Sequence, residues 1–165
     1  MNPRQSTKKL GELLIQRRLI TPAQLERALA QQRSTREFLG AILIRLGLIR
    51  PDALLETLSE QFGIPHEPLT IERVDWTLVK QFPTSAFSEG RCLPIRADAQ
   101  TVTVAIADPL EAWGLSAMEA AAASRTVKPV LVLEEELRGV WHAYRERVLH
   151  DVAANLKRDD RDQIH

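Results

Sequence analysis

The chain has 165 residues, 44% of them apolar, and 22 Lys/Arg balanced by 22 Asp/Glu. That describes a soluble globular protein of one domain or two small ones, and no apolar run approaches the ~20 residues of a membrane span. The single cysteine, Cys92, excludes an internal disulfide, and the polar, basic N-terminus lacks the apolar core of a secretory signal, so both point to the cytoplasm. Charge is uneven. Residues 1–61 carry ten Lys/Arg against six Asp/Glu, and residues 62–165 carry twelve against sixteen. The basic half favours an anionic ligand or acidic partner, although ordinary solvated helix faces explain so small an excess nearly as well.

In chain order, the first feature is a pattern of 24 residues, Lys9 to Gln32, that returns 29 residues later as Phe38 to Gln61. Ten positions are identical: Leu10/Leu39, Gly11/Gly40, Leu14/Leu43, Ile15/Ile44, Leu19/Leu48, Ile20/Ile49, Pro22/Pro51, Leu25/Leu54, Leu29/Leu58 and Gln32/Gln61. Solenoids need three or more such units to bury their faces. Two copies suggest a two-fold site, suited to a ligand with two similar halves. Each copy reads as a helix, a turn and a second helix, from apolar residues at helical spacing. Thr21 can cap the second helix, Pro22 suits its first position and Gln24 completes a capping box. Residues 33–37 are a polar connector. The last helix of the second copy should end at Gly63, with Pro65 just beyond.

Residues 64–90 read as a linker with short helices. Asp75 can cap one that runs through Phe82 and stops at Pro83. Thr84 to Glu89 reads as another, closed by Gly90. Then the pattern changes to strands at Cys92–Arg96 and Thr101–Ala105 around an Asp98-Ala99-Gln100 turn. A helix from Asp108-Pro109 to about Ala123, a β-branched strand at Val127–Leu133 and a helix from Glu134 to about Val148 follow. Glu134, Glu135 and Glu136 occupy its first turn, where the helix dipole favours negative charge. Residues 149–165 form a charged tail. The expected fold is α+β: an all-helical lobe over 1–63, and a small three-stranded α/β lobe of order ββαβα over 91–148.

Catalytic chemistry is missing. There is no phosphate-binding GxxxxGK(S/T) loop, HExxH, CxxC or nucleophile elbow. His142 and His150 lie two helical turns apart without a third ligand, so they read as a surface pair and no metal or cofactor is expected. Cys92 reads as a small buried apolar residue. An enzyme is disfavoured. The repeats offer a binding chemistry instead. Gly11 and Gly40, placed at the starts of their helices, would let a ligand approach free backbone N–H groups. Leu10/Leu39, Leu14/Leu43 and Leu19/Leu48 could present apolar surface to planar rings. Gln32 and Gln61 could read a polar edge. Lys9, Arg17, Arg18, Arg33 and Arg36 could meet phosphates. On the residues alone, the competing reading of a helix-packing core is the stronger of the two.

The repeated pattern resembles the motif of the MshEN domain, the N-terminal domain of type II secretion and type IV pilus assembly ATPases. That motif opens Arg-Leu-Gly, continues with paired aliphatics around a central glycine, and closes with two spaced leucines and a glutamine. Both copies are present with the family's five-residue spacer, and Val102 through Asp108-Pro109-Leu110 looks like its strand and turn. The resemblance covers about residues 9–148. It implies a cyclic di-GMP ligand, with Lys9, Leu10, Gly11 and Gln32 on one half. Leu39, Gly40 and Gly47 would take the other, and Asp108 would reach in from the C-terminal lobe. Leu14, Leu19, Leu43 and Gln61 complete the expected site. Three positions depart from the motif. Lys9 and Phe38 replace its arginine, and Arg18 replaces the first central glycine, so Arg36 is expected to compensate near Phe38. Arginine grips guanine O6/N7 with two bonds, whereas phenylalanine only stacks. The resemblance implies a regulatory module for an effector outside this chain, a secretion or pilus ATPase or a glycosyltransferase. Neither DNA nor RNA is implied, and a membrane only through a partner. The alternative is a nucleotide-free module of the same fold that docks on an inner-membrane secretion platform protein.

Overall fold

The computed structural model describes residues 3–87, 91–113 and 115–162. Four helices come first: α1 (Pro3–Gln16), α2 (Pro22–Thr35), α3 (Leu39–Arg45) and α4 (Pro51–Phe62). They are the two helix–turn–helix copies. The capping box at Thr21 forms: its hydroxyl accepts from the Gln24 N–H at 3.2 Å, and Gln24 Oε1 accepts from the Thr21 N–H at 2.9 Å. Arg50, the equivalent N-cap of α4, makes no such bond. Gly63 ends α4 in the left-handed conformation, φ 64°.

The turns inside the copies share one hydrogen-bond pattern. Leu19 N–H bonds to Leu14 O and Arg18 N–H to Ile15 O, each at 2.9 Å; Leu48 bonds to Leu43 and Gly47 to Ile44, again at 2.9 Å. These paired bonds make a Schellman stop, which needs a left-handed residue just past the helix. Arg18 fills that position at φ 56° and Gly47 at φ 67°. The motif's central glycine is therefore a turn requirement, and Arg18 meets it despite the steric cost of its Cβ.

The α/β part is a three-stranded sheet of order β1-β2-β3: β1 (Cys92–Ala97), β2 (Thr101–Ile106) and β3 (Thr126–Leu131). β1 runs antiparallel to β2, and β3 parallel. Pro94 and Pro129 both stand opposite Val104, on edge strands where a missing N–H is tolerated. Asp98 makes the β1–β2 turn. Its Oδ1 accepts from the N–H of Gln100 and of Thr101 at 2.8 Å, and these bonds, with the Thr101 hydroxyl, hold its carboxyl below the usual carboxylate pKa range.

Several sequence-based boundaries shift. The helix expected from Asp108 to Ala123 is a 3-10 turn at Pro109–Trp113 and a separate α6 (Ser116–Ala121). Gly114, between them, lies outside the described residues, as do Glu89 and Gly90 of the short helix; its described part is a 3-10 turn at Thr84–Ala86. α7 runs from Glu134 to Asp162, well into the expected tail. The stretch read as a linker is built into the fold. Leu131 N–H bonds to Pro65 O at 2.8 Å and Glu67 N–H to Leu131 O at 3.1 Å, which adds His66 beside β3. Farther on, Asp75 N–H bonds to Ile95 O at 2.8 Å on the opposite edge, and the Asp75 carboxylate caps α5 (Trp76–Val79). Leu69, Val74, Leu78, Val79 and Phe82 are buried along the way. This segment covers both sheet edges, which would otherwise template unwanted pairing.

One contiguous apolar cluster runs from Leu10 in α1 to Trp141 in α7. An aromatic group closes its far end, with Trp76 and Tyr144 stacked at 5.2 Å, Phe87 5.2 Å from Trp141, and Arg147 over the Trp76 ring.

Candidate ligand cleft between the motif lobe and the sheet

Gly11 and Gly40 hold their helices close to the next pair. A Cβ built on Gly11 would lie 2.7 Å and 2.8 Å from the two Leu25 methyls; on Gly40 it would lie 2.6 Å from Leu54 Cδ2 and 2.9 Å from Phe38 Cε1. Leu25 and Leu54 are equivalent positions, so each copy builds the same crossing. The expectation that Gly11 opens its helix is corrected. It lies inside α1, where its N–H belongs to the helix ladder, while Gly40 is the second residue of the seven-residue α3. Leu10, Leu14, Leu39 and Leu43 are corrected in the same way. They are core residues, three of them with no exposed surface, because the stripe that pairs the helices is the stripe the motif repeats. Leu19 and Leu48 stay half-buried.

The polar candidates divide. Lys9, Arg18 and Arg36 are exposed, and Arg36 takes φ 57° at the end of α2. Gln32 is half-buried, and its amide donates to the Glu37 carbonyl at 3.0 Å, fixing the connector that leads into Phe38. Gln61 is exposed near the end of α4. Arg17, on the turn of the first copy, forms an ion pair with Glu60 of α4. Of the residues named for the first half-site, Lys9 is exposed, Gln32 half-buried, and Leu10 and Gly11 buried.

The second copy borders a cleft. Phe38, Ala41, Ile44, Leu54, Leu55 and Leu58 form one wall; Ala107, Val132, Leu133 and Glu134 form the other. The fold positions these walls directly. Phe38 is the N-cap of α3, Ala107 follows β2, and Val132 to Glu134 join β3 to α7, held by a 2.9 Å bond from Val132 N–H to Ile106 O. Asp108, half-buried, comes next after Ala107, and its carbonyl accepts from the Glu111 N–H at 3.0 Å. The structure brings Phe38 and Ala107 to one cleft, with Asp108 following Ala107 in the chain. It also adds Val132, Leu133 and Glu134, which sequence reasoning did not single out. Only Glu134 carried any signal, as part of an acidic first turn. Burial pushes the Cys92 thiol up to about 11, with the Glu111 carboxylate adding to the effect, so Cys92 is an inert core residue. No helix among the described residues is long and apolar enough to cross a membrane.

Known proteins share this arrangement. Bacteriophage adsorption protein B of Escherichia coli (strain K12) is 29% identical over 153 residues, 92% of this chain and 20% of that protein. The type IV pilus assembly ATPase PilB of Myxococcus xanthus (strain DK1622) is 30% identical over 101 residues, 61% of this chain and 18% of that protein. The chain therefore spans about a fifth of the length of these relatives. A solved structure of MshE with cyclic di-GMP (cdg) superposes with a TM-score of 0.63 at 28% identity, over 82% of this chain and 97% of that one. The N-terminal domain of XpsE has the same fold, with a TM-score of 0.61 at 22% identity over 85% of this chain and 96% of that one. The MshEN domain model matches residues 62–150, more than half of the chain, from the end of α4 through the sheet into α7. On that match the chain belongs to the MshEN domain family.

Proposed function

We propose that this chain is a cyclic di-GMP-responsive regulatory module. In this reading residues 1–63 and 91–148 are two jaws joined through residues 64–90, and the dinucleotide clamps them. The observation that carries the reading is the meeting of the second motif copy with Ala107 and Val132 to Glu134 across one cleft. The likeness to MshE with its nucleotide supports the ligand class. The candidate ligand-binding residues are those named from the sequence that lie outside the core. Lys9, Arg18 and Arg36 are exposed and able to meet phosphates, and Asp108 follows Ala107, which lines the cleft. The output is the docking of the module on an effector domain or ATPase, cytoplasmic and without catalytic residues in this chain.

Titration calorimetry with cyclic di-GMP tests this, with GMP and cyclic di-AMP as controls. Binding should weaken as salt is raised, because two phosphates are held. Asp108→Ala should lower affinity by more than its effect on melting temperature explains. Absence of any cyclic di-GMP binding by a folded chain would sink the reading.

A second reading has a specific observation behind it. Phe38 lines the cleft where the motif has arginine, and it packs against the contiguous core. A nucleotide-free module that docks on an inner-membrane secretion platform would keep this closed form constitutively. It predicts that cyclic di-GMP does not bind while the chain still captures the platform protein's cytoplasmic domain.

A further inference from the structure

The cleft beneath Phe38 holds one polar group whose bonding is incomplete. Glu134 opens α7, and its Oε1 accepts from Arg138 Nη2 at 2.8 Å, one turn along the helix. Its other oxygen, Oε2, is buried and has no hydrogen-bond partner among the described residues. The remaining lining residues are all apolar. A carboxylate oxygen buried against apolar walls without a donor is costly, and such an atom calls for an explanation. Helix capping does not supply one. Two residues on, Glu136 does that work: its Oε2 accepts from the N–H of Leu69 at 3.2 Å and of Leu133 at 3.4 Å.

We propose that Glu134 reads the base at the second half-site and selects guanine there. This rests on the cyclic di-GMP reading and deepens it. Guanine presents two adjacent donors on its Watson–Crick edge, N1–H and N2–H2, and an ionised carboxylate is purely an acceptor. Adenine presents an unprotonated N1 at the corresponding place, so acceptor faces acceptor and the wrong base is repelled. Phe38 on the opposite wall supplies an aromatic face on which a purine stacks. Phenylalanine cannot donate to guanine O6/N7 as arginine does, so selectivity at this half-site has to come from another edge of the base. Glu134 is the cleft residue with the chemistry to provide it. The Phe38 ring packs close beside Gly40 and has to turn toward the cleft for a base to stack on it.

The test titrates the whole chain with cyclic di-GMP, cyclic di-AMP and cyclic di-IMP, whose hypoxanthine keeps N1–H but lacks the 2-amino group. The wild type should bind cyclic di-IMP roughly tenfold or more weakly than cyclic di-GMP. Glu134→Gln keeps one acceptor but turns the other into a donor, so one guanine donor loses its partner, and both base preferences should narrow roughly tenfold. Arg138→Ala removes the ion-pair partner but leaves the carboxylate, and should keep the selectivity. Equal wild-type affinity for cyclic di-GMP and cyclic di-IMP would overturn the proposal without any mutant. So would a Glu134→Gln protein that keeps full selectivity, or an Arg138→Ala protein that loses it. In each of these the module still binds cyclic di-GMP, and only the assignment of Glu134 fails. A chain that binds none of the three nucleotides removes the functional reading together with it.

Discussion

The two motif copies use one backbone plan in different surroundings. Both stop their first helix with the same pair of 2.9 Å bonds, although the left-handed residue is Arg18 in one and Gly47 in the other. Both cross their helices at a glycine, Gly11 on Leu25 and Gly40 on Leu54. Beyond that they diverge. Leu25 is half-buried while Leu54 is core, and the second copy shares a cleft with the ends of the sheet, through Phe38. A helix–turn–helix unit is thus specified by a few buried leucines and one tight crossing. What it does depends on what is packed against it.

The strongest test of the shared plan is the core. Leu14→Ala and Leu43→Ala remove equivalent side chains with no exposed surface, and each should cost about 2–5 kcal/mol. Urea unfolding of both variants should give similar values; a large asymmetry would mean that the copies are not packing equivalents.

The crossings should separate them. Gly40→Ala drives a methyl group into the buried Leu54 and the Phe38 ring, and should destabilise by about 1–3 kcal/mol. Gly11→Ala meets only the methyls of the half-buried Leu25, which can turn away, and it gains about 1 kcal/mol of helix propensity. Its melting temperature should stay near that of the wild type. Equal losses from the two substitutions would show that the sheet does not stiffen the second copy.

Ligand binding sharpens the difference further. Phe38→Arg restores the motif residue at the cleft and should tighten cyclic di-GMP binding by about 1–3 kcal/mol through a bidentate guanine contact. Calorimetry reads this directly. Unchanged or weaker affinity, with helix content preserved by circular dichroism, would mean that Phe38 already stacks productively or that the new guanidinium turns to Glu134.

The smallest effect concerns the turns. Arg18→Gly relieves a left-handed non-glycine residue and should stabilise by about 0.5–1 kcal/mol, after allowing for the greater entropy of glycine in the unfolded chain. Gly47→Ala has open space around its new methyl, so only backbone strain opposes it, and a loss of about 1 kcal/mol is expected. Thermal melts in which the two changes have the same sign would break the equivalence of the turns.

The sequence by itself determined the repeat, the capping box at Thr21, the stop at Gly63, the Asp98 turn and the order of the three strands. These follow from local rules: helical and alternating periodicity, capping chemistry and turn residues act over a few neighbours. The motif resemblance gave Phe38 and Asp108 as expected site residues. Tertiary structure decided the rest. Leu10, Leu14, Leu39 and Leu43 are core and not ligand surface, because a leucine stripe looks the same whether a helix or a planar ring lies against it. Residues 64–75 are structural, because their irregular backbone finds its hydrogen bonds on sheet edges formed by strands far along the chain. Glu134 stands opposite Phe38 for a similar reason. They are 96 residues apart, and only the packing of one contiguous core brings that carboxylate to the aromatic ring.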